Sequence, residues 1–441
     1  MSRVNTFRCI LHSTILILLV GLCRSRYTST QESFQVLRID AKNESDVQWL
    51  NGIMGRLEEK MGADFWTNPT TIQPVDIMLP FHSIGQFESL LQERDMIYSV
   101  MLENVEDIIE SQMKNMRRRR DAISKDISFD YGIYHTYEEI RQWVKDISSE
   151  HSDIVEEFVV AKSYEGRQVA GVKISVPNGR KNKKSVWFEG GIHAREWIAP
   201  ATVLFLAKQL IYDFRNGEPD VQRILHNLDF YIVPSLNVDG YAYTWSKNRL
   251  WRKTRSPTWN PFCKGTDGNR NWPYEWGGVR ASKKPCNETY RGTGPASEVE
   301  IQGVVDFTRN LTKTQDFAVF IDWHSYSQAW MAPWSYSAQA PPPSDAADQL
   351  ALAEAAVQAI KTVHGTDFRA GAAATTLYEA SGFSIDWSYA VLKAKYSFCV
   401  ELRDRGRYGF LLPEDQIIPT GEECYAAVKV VANKVVDEIG V

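Results

Sequence analysis

The alternation of apolar and polar residues divides this chain into two regions. Phe34-Gln-Val-Leu-Arg-Ile-Asp40 alternates as a half-buried strand, residues 46–61 repeat at helical spacing, and 75–79 are strand-like. Residues 84–92 are helical in pattern and 96–102 strand-like, and a charged helix from about Glu103 leads to Arg117-Arg118-Arg119-Arg120. Short strands mixed with helices predict a small α+β domain. Beyond residue 121 the runs lengthen. Residues 186–189, 230–234, 318–322 and 396–401 read as buried strands. Residues 137–147, 197–214, 297–310, 346–362 and 422–439 read as helices, and Pro341-Pro342-Pro343 marks a surface loop. Strands alternating with helices over this length predict one large α/β domain.

The N-terminus has a different character. Arg3 and Arg8 precede an apolar run, Ile15 to Leu22, too short to span a bilayer and of the length of a signal-peptide core. Residues 1–25 are therefore expected to be removed as a signal peptide, leaving a pro-domain (26–120) and a main domain (121–441). No later stretch approaches ~20 uninterrupted apolar residues, so the expectation is an exported, extracellular protein without a membrane span. In an exported chain the arginine run reads as a basic activation site, with cleavage after Arg120 or a neighbouring arginine by a trypsin-like or basic-site protease. The net charge of −5 gives no electrostatic case for nucleic acid. Asn43, Asn287 and Asn310 begin acceptable glycosylation sequons, whereas the proline after Asn68 excludes that one. Cys9 and Cys23 fall in the signal region, Cys263 and Cys286 flank a Trp-rich polar loop as a plausible disulfide, and Cys399 and Cys424 read as buried thiols.

Candidate chemistry clusters at predicted strand ends. His193-Ala-Arg-Glu196 follows one strand, Asn237 and Asp239 a second, and His324 a third, while Glu401 closes a fourth. Ligands in open α/β sheets bind beyond the carboxyl ends of strands, so these side chains are predicted to converge. An imidazole and a carboxylate three residues apart can share one cation, as at a catalytic zinc that takes a third protein ligand and keeps an open position.

Five words extend the pattern: Glu189-Gly-Gly-Ile-His-Ala-Arg-Glu-Trp-Ile-Ala-Pro200, Asp267-Gly-Asn-Arg-Asn-Trp272, Asp322-Trp-His-Ser-Tyr-Ser-Gln328, Ser381-Gly-Phe-Ser-Ile-Asp-Trp387 and Glu401-Leu-Arg-Asp-Arg-Gly-Arg-Tyr-Gly-Phe410. In these words and their order the main domain resembles the zinc metallocarboxypeptidases of the pancreatic A/B type. The resemblance implies a mixed central sheet with helices on both faces, preceded by a small α+β open-sandwich pro-domain. It implies one Zn2+ held by His193, Glu196 and His324, Glu401 as general base, and Arg252 stabilising the oxyanion. Asn269, Arg270 and Tyr378 would hold the free carboxylate of a peptide C-terminus, with Arg195 and Tyr326 as neighbouring subsites. Tyr378 would ride on a mobile loop beside the small residues 370–374. The resemblance further implies the Cys263–Cys286 disulfide and non-proline cis peptides at Ser325-Tyr326, Pro333-Trp334 and Arg403-Asp404.

Ile385 matches the position that sets the specificity pocket. An apolar residue there suits aromatic or aliphatic C-terminal side chains, because a buried substrate cation would lack a partner. Phe383, where the pancreatic enzymes usually have glycine, adds bulk; Ala373 removes it, and Cys399 replaces a small hydroxyl residue on the wall. The expectation is a zymogen that trims peptide and protein C-termini, inhibited in cis by its pro-domain, with a monomer as default. The alternative, a catalytically silent secreted binding protein of the same fold, would be expected to have lost a zinc ligand or the base. All are present.

Overall fold

The computed structural model describes residues 33–122, 129–177 and 183–440. The expected signal peptide lies outside them, as do Cys9 and Cys23. In the pro-domain, strands β1 (Phe34–Ile39), β2 (Asp64–Phe65), β3 (Val75–Pro80) and β4 (Tyr98–Leu102) form an antiparallel sheet in the order β2-β3-β1-β4. Strand alternation gives this sheet two apolar faces. Leu37, Ile39, Ile77 and Leu79 pack on helices Glu44–Met61 and Phe81–Gln92. On the other face, Val36 and Met78 join Trp66 and Leu102 against Leu250, Tyr326 and Phe410 of the main domain. Asn43 caps the first helix by accepting from the Asp46 N–H at 3.0 Å, and Gly62 ends it in the left-handed region at φ 67°.

Among the described residues the main domain holds an eight-stranded mixed sheet. Its strands are β5 (Val155–Lys162), β6 (Gln168–Ile174), β7 (Lys184–Gly190), β8 (Leu228–Val233), β9 (Phe317–His324), β10 (Ala329–Ala332), β11 (Arg369–Ala372) and β12 (Tyr396–Glu401). The order is β11-β10-β12-β9-β7-β8-β6-β5, with β8, β7, β9 and β12 mutually parallel at the centre. Val186, Phe188, Val319 and Ile321 face helices Ile198–Arg215, Ala346–His364 and Ile417–Ile439; Trp187 and Phe320 face Val299–Leu311 and Trp387 on the other side. Both faces are buried, which explains why the central strands read as continuous apolar runs. The helix Tyr137–Glu150 starts where predicted, because Thr136 and Glu139 form a reciprocal capping box.

Several expectations shift. The last helix begins at Ile417 rather than Glu422, since Pro419 sits in the first turn, where its missing N–H has no intrahelical partner to lose. Cys424 therefore lies within the helix; it and Cys399 are buried free thiols. The charged helix leading to the arginine run includes it: the run forms the last turns of the helix Val105–Ala122. Residues 370–374 are not a loop: 369–372 pair in parallel with β10 and 373–376 form a helical turn, so the irregular stretch starts at Leu377. Cys263 and Cys286 are joined, and the three expected cis peptides are present.

Candidate active site

The parallel register aligns the strand ends that carry the chemistry. Glu401 pairs with His324, and Gly190, three residues before His193, pairs with Trp323. His193, Glu196 and His324 are all buried, each offering one ligand atom within 4.8 Å of the others. His193 Nδ1 lies 2.8 Å from Glu196 Oε1, and His324 Nδ1 lies 3.0 Å from Glu196 Oε2. The opposite ring nitrogens are occupied: His193 Nε2 is 3.0 Å from Asp267 and His324 Nε2 is 2.9 Å from Asp322. A proton shared with each carboxylate leaves both Nδ1 lone pairs facing one point, the arrangement that orients imidazoles for a metal. Two Nδ1 atoms only 3.1 Å apart have no use for each other as neutral acceptors, and a small cation between them resolves the contact. The donor set of two imidazoles and one carboxylate fits zinc with an open position.

Glu401 and Arg252 flank this point in the same cleft. Glu401 Oε2 is buried with no partner among the described residues. Burial pushes the Glu401 carboxyl up to about 8; Glu196 adds to the shift, while His324 and Arg252 oppose it. Arg252 donates to Asp267 at 2.9 Å and leaves one guanidinium nitrogen 3.9 Å from Glu196. Although burial disfavours its charge, Asp267 and Glu196 raise the Arg252 pKa above the ordinary value, so it is a fixed cation.

The remaining site residues divide. Arg195, Arg270, Tyr326 and Tyr378 line the cleft. Arg270 uses Nε on the Arg280 carbonyl at 2.9 Å and one terminal nitrogen on the Asn269 carbonyl at 2.8 Å. Its other terminal nitrogen, buried, finds no partner among the described residues. Asn269 does not line the cleft: its amide lies against Asp322 and accepts from the Ser384 N–H at 2.8 Å. Ile385 is fully buried behind Phe383. Sequence reading did not single out Asp267 and Asp322, although both stand inside the quoted words and Asp322 shares the face of His324 by strand alternation.

The pro-domain roofs this cleft. Asp64 accepts from Arg195 at 2.6 Å, and Asp76 accepts from the Tyr326 hydroxyl at 2.6 Å while paired with Arg38. Asn68 accepts from Arg280 at 2.9 Å, Gln73 from Arg369 at 2.8 Å, and Glu58 meets Asn287. Trp66 packs on Phe410 with ring centroids 5.1 Å apart.

Residues 140–427 match the family described as zinc carboxypeptidase, and residues 37–112 match the carboxypeptidase activation peptide. The chain belongs to the zinc carboxypeptidase family. It is 40% identical to carboxypeptidase A1 of Sus scrofa over 395 residues, 89% of this chain and 92% of that protein. With carboxypeptidase A2 of Mus musculus it shares 37% over 415 residues, 93% of this chain and 96% of that one. Its fold superposes on thrombin activatable fibrinolysis inhibitor with a TM-score of 0.81 at 35% identity, covering 92% of this chain and 99% of that one. The carboxypeptidase A from Helicoverpa armigera gives 0.84 at 25% identity, covering 93% and 99%. This zinc carboxypeptidase thus carries its activation domain and a His-Glu-His site suited to one Zn2+. Among the described residues no helix is long and apolar enough to cross a membrane.

Proposed function

We propose that the chain is the secreted zymogen of an exopeptidase that removes an apolar residue from peptide C-termini. The free guanidinium nitrogen of the buried Arg270, at the end of the cleft that holds the candidate zinc ligands, carries this reading. A substrate carboxylate satisfies that donor by a charge-assisted bond and fixes the last peptide bond beside Glu401 and Arg252. His193, Glu196 and His324 would hold zinc, which would supply Lewis-acid polarisation and a more acidic water. Glu401, acceptor-only once ionised, takes the proton of the attacking water and returns it to the leaving amine. Arg252 stabilises charge developing on the scissile carbonyl oxygen. Tyr378 stands near Arg270, whose guanidinium carbon is 5.9 Å from the phenol ring centroid, so the hydroxyl is available to the same carboxylate. Asn269 orients the loop through Ser384 and reaches substrate only by turning from Asp322.

Latency follows from the roof. Asp64 and Asp76 hold Arg195 and Tyr326, the two subsite residues a longer peptide would use. Release requires cleavage in the arginine run. Arg120 is engaged by Tyr134 and Glu139, and Arg119 by Glu414, while Arg117 and Arg118 are exposed. The N-terminal apolar run and the disulfide support export. Asn43 and Asn310 are exposed, as glycan acceptors require, whereas Asn287 is half-buried against Glu58.

The test compares free-acid and C-terminally amidated peptides on the trypsin-treated protein, with and without a chelator. Chelator-sensitive release from the free acids alone is expected; equal release from the amides would refute the carboxylate clamp.

A further inference from the structure

The apolar end of the cleft is closed by a side chain that the family resemblance does not account for. Phe383 is 4% exposed and packs in one cluster with Ile385, Cys399, Ala329, Ala373 and Ala380. Of that cluster, Phe383 reaches the cleft together with Leu377 and Tyr378, whereas Ile385 and Cys399 are fully buried and do not line it. Small residues at 329, 373 and 380 leave the room the ring fills. Two side chains flank it. The ring lies nearly parallel to His324, centroids 6.4 Å apart, and the Arg270 guanidinium carbon stands 5.3 Å from the Phe383 ring centroid. Gly382, at φ 72°, brings the backbone so near Arg270 that a Cβ would lie 2.5 Å from its carbonyl oxygen. The loop carrying Phe383 therefore has little room to withdraw.

With the pro-domain forming part of its wall, the cleft, zinc ligands included, keeps about 50 Å³ of free space. An apolar cavity that accepts benzene measures ~150 Å³. Removing the pro-domain uncovers the cleft from above but leaves Phe383 in place. We infer that Phe383, rather than Ile385, forms the end wall of the side-chain subsite, so that the enzyme releases alanine and valine in preference to phenylalanine, tyrosine and tryptophan. This rests on the proposed exopeptidase reading and narrows its substrate class.

The experiment measures kcat/KM on the trypsin-cleaved full chain, using peptides that differ only in a C-terminal Ala, Val, Leu, Phe or Trp. Wild-type protein is expected to favour Val over Phe by at least about tenfold, in line with ~1–3 kcal/mol for a misfit group in an apolar pocket. F383A is expected to reverse that order while retaining Val release, and F383L, which keeps the cluster filled should F383A fold poorly, to shift it part of the way. Wild-type preference for Phe or Trp would overturn the inference, as would an unchanged Val/Phe ratio in both variants. Failure of wild type to release any residue would instead refute the exopeptidase reading, and the inference with it.

Discussion

The two ends of the cleft are built by opposite means. At the polar end, His193, Glu196, His324 and Glu401 sit at or just beyond the ends of parallel strands, their positions fixed by the register and by partners such as Asp267 and Asp322. At the apolar end, Phe383, Leu377 and Tyr378 come from the loop and helix start after β11, and shape comes from which side chain fills which gap. A polar site must satisfy every donor and acceptor, so few residue types serve at each position. An apolar pocket needs only volume, and compensating exchanges can rebuild it. Chemistry is thus set at one end and selectivity at the other.

Substitutions that separate the two ends test this division. The largest effect is expected from E401Q, which keeps shape but removes the base: kcat should fall by about 10²–10⁴, the range of general-base contributions, with zinc content unchanged. Loss of zinc together with activity, read by elemental analysis, would mean that Glu401 supports the metal site instead. R270A should lower kcat/KM by about 10² through loss of charge-assisted bonds and erase discrimination against amidated termini, leaving the order of side-chain preference intact. A changed order would show that the two ends are not separable.

Effects on the roof come next. D64N/D76N removes the carboxylate charges facing Arg195 and Tyr326. Exchanging two hydrogen bonds to charged groups, about 1.5–3 kcal/mol each, for neutral ones of about 0.5–1.5 loses about 2–3 kcal/mol in all, so basal activity of the uncleaved zymogen should rise roughly thirty- to a hundredfold, and that of the cleaved enzyme should not change. The smallest effect is in pH. Burial under the main domain, with Asp64 and Glu288 nearby, pushes Glu58 up to about 7 from an ordinary 4.5. A carboxyl whose pKa is raised on docking favours the docked state fully below 4.5, progressively less up to about 7, and no further above that. Zymogen leakage, normalised to cleaved enzyme at the same pH, should therefore rise between pH 5 and 7.5, and E58Q should flatten the rise. A leak that falls over that range would reverse the sign.

The contrast also explains what was legible in the sequence. The order of elements was readable because both faces of the central sheet are buried, and the predicted strands 186–189, 230–234, 318–322 and 396–401 all lie at its centre. The outer strands β5, β6, β10 and β11 were not read; β10 and β11 are only four residues each and rich in alanine, too short to show a period. Convergence of His193, His324 and Glu401 followed from their places at strand ends. The turning of Asn269 toward Asp322 could not be foreseen, because it depends on Ser384, 115 residues away. The roof contacts were hidden for the same reason: Asp64 and Arg195 are 131 positions apart and Asp76 and Tyr326 are 250. Phe383 was visible as added bulk, but whether it narrows the pocket or packs aside is decided by the small residues around it.

A zinc exopeptidase site roofed by its own pro-domain is tested in a single time course by mass spectrometry. Intact zymogen with measured zinc content is incubated with a valine-terminated peptide, trypsin is added and then blocked, and a chelator follows. Negligible release before cleavage, loss of the terminal valine alone after it, and arrest by the chelator are the expected result. Equal release before and after cleavage would contradict the roof, and continued release after zinc is stripped would contradict the metal site.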